Sequence, residues 1–335
     1  MKRIVKAILA LAVVAMLVLT GCAPAASSGA APASSGAAQT SGATGEKIKV
    51  GMSIPQMANP YFVSVMNGVK AKCDELGWEL TVVDAGYDVA KQISDFENFG
   101  NQGVNAVIAC PIDSNALVSV VDKLKADGVI VISFAQVIEN ANAILTLDEY
   151  TYGVAIGENA AKWINEKLDG KAEVLIISQD NVEAVVQRGN GIQDTIEKLC
   201  PESKIVARQA GDNPEKGMQI AEDVLQQYPN VKVITGNNDS GPLGAYEAVK
   251  AMGKNTEDFY IGGGDATPEA IAKMQEDGSV YRATVDIEPY QTGLDAVTTI
   301  QDFLTNGIPD EAPVSYFPLT PVWQEEVLAG WQPKG

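Results

Sequence analysis

The sequence predicts an α/β fold of two doubly wound parallel-sheet lobes, and three observations carry that prediction. From residue 47 onwards, short apolar runs alternate with amphipathic stretches of helical length. The apolar runs are continuous rather than alternating, as in parallel sheets covered by helices on both faces. About a dozen such units are too many for one comfortable open sheet, so two lobes are expected to share them.

The first strand is "IKVGMSI" at 48–54, and a helix follows from Pro60 to about residue 76. Asn59 is a good N-cap, and Pro60 suits the first helical position because its missing N–H would have no partner there. Further strands are expected at 80–85, 106–111 and 129–134, with helices at 89–101 and 114–126 between them. A second series starts with helix 151–168 and strand 173–178, then helix 184–199 and strand 204–209. It continues with helix 215–228, strand 231–235, helix 241–252 and strand 258–262, and closes with helix 267–276, strand 280–286 and helix 290–305. Asp239 is expected to cap the helix from 241. Thr267, Pro268 and Glu269 supply a cap, a first-position proline and an acidic first turn for the helix after them.

The region before residue 47 has a different character. Basic Lys2, Arg3 and Lys6, an apolar run and then small residues before Cys22 describe a signal peptide over 1–21. The ending "LTGC" resembles a bacterial lipobox, in which Cys22 is acylated and becomes the mature N-terminus. Residues 23–45 then form an uncharged Ala/Ser/Gly/Pro tract, too poor in apolar surface to fold, and 22–46 is expected to act as a flexible tether. A lipid-anchored domain at the outer face of a cell membrane, or in a periplasm, is the location this implies.

Charge and composition exclude several functions. The formal net charge is −19, and three of the 24 basic residues lie in the leader against none of the 43 acidic ones. Such a chain is a poor partner for nucleic acid or for anionic lipid surfaces. It contains no histidine, which removes Ser-His-Asp and Cys-His catalysis and the commonest zinc ligand. No GxSxG, P-loop or HExxH pattern is present. Cys73, Cys110 and Cys200 are too widely spaced for a disulfide framework or a metal site and read as core thiols. Neither cofactor, metal nor enzymatic activity is expected.

In an open α/β sheet, ligands sit beyond the carboxyl ends of the strands. The informative windows are therefore 55–62, 85–88, 111–114, 135–137, 179–188, 237–240, 264–267 and 287–290. They hold amides, carboxylates and aromatic rings with few cations, which suits a neutral, hydroxyl-rich molecule. Phe62 lies on the helical stripe Phe62, Val65, Val69, Cys73 and is equally a core residue; Tyr61 lies off it, which favours a ligand. Asp265 has no helix of its own to cap. With Asp239 assigned to capping, Asn238 is the better donor to a ligand.

"ANPYF", "CPIDSNAL", "QRGNG", "NNDSGPLGAYEAV" and "GGGDATPEA" occur in an order that resembles the sugar-binding type I periplasmic binding proteins, the ribose- and galactose-binding group that serves ABC importers. The resemblance covers about 47–320. It implies two Rossmann-like lobes joined by a three-strand hinge, with ligand held between them by closure. The crossovers would fall near 147–148, 286–287 and 312–315. One lobe would comprise 47–147 with 287–313 and the other 148–286 with 314–335. It also implies that Asn59 hydrogen-bonds a sugar, that Tyr61 and Phe62 clamp its ring, and that Asn238 and Asp265 meet its hydroxyls. Partners would be a carbohydrate-like ligand and ABC permease subunits, with the protein a monomer.

Several positions depart from the pattern. An Asp-Arg pair of ribose binders falls on Ala135 and Gln136, a sugar-binding arginine on Val186, a glutamine on Ile287 and an aromatic on Asp212. Arg188 matches a neighbouring arginine of more structural character. Losing two bidentate arginine forks disfavours ribose itself. A deoxy sugar, a larger or substituted sugar, a polyol or a non-sugar metabolite fits better, with Gln136, Asp212 and Glu288 as substitute contacts. The competing readings are a sensory module feeding a chemoreceptor or histidine kinase, a cytoplasmic repressor, for which the basic helix-turn-helix is lacking, and an enzyme.

Overall fold

The computed structural model describes residues 47–333. The expected leader, Cys22 and the tether lie outside the described residues.

The first half of the chain runs β1 (Lys49–Ile54), α1 (Pro60–Leu76), β2 (Glu79–Asp84), α2 (Val89–Asn101), β3 (Ala106–Ala109), α3 (Ser114–Ala126), β4 (Ile130–Ala135) and β5 (Ala143–Thr146). The second half continues with α4 (Glu149–Lys167), β6 (Glu173–Ser178), α5 (Val186–Leu199), β7 (Lys204–Ala210), α6 (Pro214–Gln227) and β8 (Val231–Gly236). It then adds α7 (Ser240–Ala251), β9 (Tyr260–Gly262), α8 (Pro268–Gln275), β10 (Tyr281–Asp286), α9 (Pro289–Asn306), β11 (Val314–Tyr316), β12 (Thr320–Trp323) and α10 (Gln324–Leu328). Two six-stranded sheets result, ordered β11-β5-β4-β3-β1-β2 and β12-β10-β9-β8-β6-β7. Every pairing is parallel except β10 with β12. Strands β3, β4 and β5 are buried at every position, as their unbroken apolar runs require.

Helix starts follow the expected chemistry. Asn59 Oδ1 accepts from Tyr61 N–H at 3.0 Å, and Thr267 caps α8 by accepting from Ala270 N–H. Gly77 ends α1 at φ 70°, a left-handed conformation that suits glycine. Asp239 is a correction: it stands at the head of α7 without capping it.

The strands β5, β11 and β12 lie where the sequence reading placed none. The chain passes from the first sheet to the second at 147–148 and returns after β10. Its third passage falls at 317–319, later than the expected 312–315, because 314–316 adds to the first sheet along β5. Among the described residues no helix is long and apolar enough to cross a membrane. The three cysteines described are free and buried.

Candidate functional site

The carboxyl ends of the two sheets face one another across a cavity with about 550 Å³ of empty space, counted to its mouth. Asn59, Tyr61 and Phe62 reach it from the start of α1, and Gln136 from the turn after β4. The second sheet contributes Gln179 after β6, Arg188 from α5, Asn238 after β8 and Asp265 after β9.

The aromatic corner is rigid. The rings of Tyr61 and Phe62 meet edge to face with centroids 5.3 Å apart, and Phe62 meets Phe134 at 6.4 Å in the same manner. Tyr61 is 6% exposed and its hydroxyl has no hydrogen-bond partner. A buried hydroxyl left in that state costs about 1–3 kcal/mol. Burial pushes the Tyr61 phenol well above its usual range, so it stays protonated and able to donate.

The cation at the site is already engaged. Arg188 grips Glu149 in a two-pronged ion pair, Nε to Oε2 at 2.6 Å and Nη2 to Oε1 at 2.9 Å. Its Nη1 donates to the Asn237 carbonyl at 3.2 Å, and its guanidinium lies 4.6 Å over the Tyr152 ring. Gln136 Nε2 completes the group by donating to Glu149 Oε1 at 3.0 Å. This bond links the first sheet's edge to the head of α4. A second such link runs from Gln56 Nε2 to the Asp212 carbonyl at 2.9 Å.

Asp265 is 2% exposed and accepts from the Tyr152 hydroxyl at 2.7 Å. Burial, then the neighbouring Asp239 carboxylate, raises its pKa well above the ordinary carboxylate value. Asp239 lies behind it, fully buried, and accepts from Thr267 N–H and Oγ1, from Tyr281 and from Thr284. Desolvation outweighs those four bonds and pushes Asp239 up to about 7. The arginine that lines the cavity is neutralised by Glu149, which disfavours anionic ligands. Among the described residues, no His, Cys, Asp and Glu cluster could hold a metal ion.

Six of the eight ligand residues expected from sequence meet here: Asn59, Tyr61, Phe62, Gln136, Asn238 and Asp265. Two do not. The Asp212 carboxylate turns to Lys216 Nζ, 2.8 Å away one helical turn on, and lies at the outer mouth between the sheets. Glu288 has φ 53° and faces a separate groove with Gln291, Thr292 and Tyr316, while its neighbour Ile287 faces the cavity. Sequence reasoning did not single out Glu149, Gln179 or Cys110. Gln179 sat within a strand-end window, and Glu149 carried the signal of an acidic first turn. Arg188 had been set aside as structural, and its nitrogens do bond within the protein, yet it also lines the cavity.

Comparison with known proteins agrees with this geometry. Residues 50–308 match the family described as "Periplasmic binding protein domain". The ribose import binding protein RbsB of Bacillus subtilis is 30% identical over 262 residues, spanning 77% of this chain and 82% of that one. A putative rhizopine-binding protein of Rhizobium meliloti is 31% identical over 248 residues, 70% of this chain and 79% of its own. Among solved structures, the Caulobacter myo-inositol binding protein superposes with a TM-score of 0.72 at 27% identity, covering 85% of this chain and 96% of that one. With its fold, its facing strand ends and a family match over most of its length, the chain belongs to the periplasmic binding protein domain family.

Proposed function

We propose that this protein is the extracytoplasmic solute-binding component of a bacterial ABC importer, capturing a neutral carbohydrate-like molecule between two lobes by hinge closure. The observation that carries this reading is the cavity itself. Rings, amides and one buried carboxyl group converge from two facing sheet edges, and the lining offers no nucleophile–base pair. Relatives named for ribose import and for rhizopine binding, and a similar structure holding myo-inositol, support a polyhydroxylated ring as the ligand class. In this reading Tyr61 and Phe62 grip the ring's flat face, while Asn59, Asn238 and Asp265 meet its hydroxyls. Gln136 acts through Glu149 and Arg188, helping to hold the arginine in place.

The lobes are assigned as 47–147 with 287–316, and 148–286 with the remainder. This division follows the strand pairing of 314–316 and the three passages between the sheets. Acylation at Cys22 and the following tether would hold a monomeric protein at the outer membrane face, where it delivers ligand to permease subunits. Ligand binding to the closed form stabilises it by mass action. Thermal melting of the protein against a panel of neutral sugars and cyclitols tests the reading. At least one compound should raise the melting temperature by several degrees at saturation, and a panel without any shift would remove the proposal.

A further inference from the structure

The two edges of the cavity differ in chemistry. Along the first sheet, the residues at the carboxyl ends of the neighbouring strands β1, β3, β4 and β5 are Pro55, Cys110, Ala135 and Leu147. Ile287, in the second passage between the sheets, extends this row, so the floor is apolar without interruption. Opposite, β6, β8 and β9 end in Gln179, Asn238 and Asp265. The polar side chains on the apolar side each spend one atom within the protein, Asn59 through Oδ1 and Gln136 through Nε2, and the Tyr87 ring lines the same side. The Tyr61 hydroxyl is the exception: it is buried and has no partner. The Cys110 thiol is pushed up to about 12 by burial, so it meets a ligand as a small neutral group.

Ala135 adds an independent observation. Its φ is 58°, in the left-handed region where a β-carbon crowds the backbone. Asparagine, aspartate or glycine would sit there with less strain. An alanine at this position keeps the floor apolar against the preference of the backbone.

We infer that the ligand is a ring with one hydroxyl-poor edge, a deoxy or O-methyl sugar or cyclitol, whose apolar edge lies on Cys110, Ala135, Leu147 and Ile287 while its hydroxylated edge faces Asn238 and Asp265. A fully hydroxylated ring would press at least one hydroxyl against these four side chains, which offer it no strong hydrogen-bond partner, losing part of a solvation shell without replacement. The Tyr61 hydroxyl supplies one donor at this edge, suited to a ring or ether oxygen. This inference rests on the sugar-binding reading above and refines it.

Titration calorimetry with matched pairs tests it: L-fucose against L-galactose, L-rhamnose against L-mannose, 2-deoxy-D-ribose against D-ribose, and an O-methyl inositol against myo-inositol. In at least one pair the deoxy or methyl member should bind about tenfold or more tighter than its parent. Ala135→Asn, which relieves the backbone, and Cys110→Ser place polar atoms on the floor and should each shrink that ratio severalfold. Parents that bind as tightly as their deoxy or methyl partners overturn the inference while leaving sugar binding intact. A ratio unchanged in both variants also overturns it, because the floor would then not be its cause. Absence of binding in every pair removes both the inference and the reading beneath it.

Discussion

Tyr61 has a ring that packs like core and a hydroxyl that nothing in the protein satisfies. The two halves of the side chain therefore make opposite predictions for one substitution. Tyr61→Phe keeps the ring contacts with Phe62 and Phe134 and deletes the orphaned group. The ligand-free protein should gain up to about 1 kcal/mol of stability, since removing an unmet buried hydroxyl relieves its desolvation. Affinity for the cognate ligand should fall about three- to tenfold, the net worth of one hydrogen bond. Denaturant unfolding and calorimetry read the two effects separately, and a variant that loses stability while retaining affinity would make the hydroxyl purely structural. Residue type and strand-end position were enough to place Tyr61, Asn238 and Asp265 at the cavity. They were not enough for Asp212 and Glu288, because the direction of a side chain at a strand end reverses with each residue. Ile287 and Glu288 are adjacent in sequence and border the same groove, yet only Ile287 also reaches the cavity. The Glu149–Arg188 pair was equally hidden, since its members are far apart in sequence and only the fold brings them together.

At the scale of elements, helices and long strands were legible because their signals are local. Pro60, Pro214, Pro268 and Pro289 each open a helix, and the apolar runs of β1, β4 and β6 are continuous. The strands β11 and β12 are mostly exposed and carry no apolar run to register, and β5 follows β4 without the intervening helix that marks the other strands. Helix pairing was not legible either, and it depends on glycines. A Cβ on Gly68 would fall inside the contact radius of the Tyr290 carbonyl oxygen, and one on Gly293 would meet that of Val65. These two residues let α1 and α9 approach closely, which fixes α1, and with it Tyr61 and Phe62, relative to the segment returning from the second sheet. Gly68→Ala should thus destabilise the protein by about 1–3 kcal/mol through overpacking, although alanine favours helix more than glycine does. A denaturant midpoint equal to that of the parent would show that the two helices can separate without loss.

For the whole molecule, the sequence reading captured the two-lobed α/β plan because a dozen alternating units admit few other arrangements. What it could not read was how charge is distributed inside a strongly acidic chain. Most of the carboxylates are at the surface, but Asp265 is buried at the cavity with Asp239 buried behind it. Burial raises the pKa of both, Asp239 to about 7. Groups raised in this way bind protons more tightly in the folded state than in the unfolded chain. The contribution of Asp239 is therefore complete below about pH 4 and is lost as pH rises through about 7, and Asp265 acts in the same sense. Glu276, held down to about 2 chiefly by hydrogen bonds from Lys250 and Lys273, works in the opposite sense, but its contribution is lost only as pH falls from about 4.5. Self-repulsion of the acidic surface also eases on mild acidification. The melting temperature should accordingly be higher at about pH 5 than at about pH 7.5, and Asp239→Asn, which keeps the volume and removes the charge, should flatten the difference. Calorimetric scans of both proteins across that interval check the assignment: a melting temperature that climbs with pH, or a slope unchanged in the variant, would place the source of the pH dependence elsewhere than in the buried carboxylates.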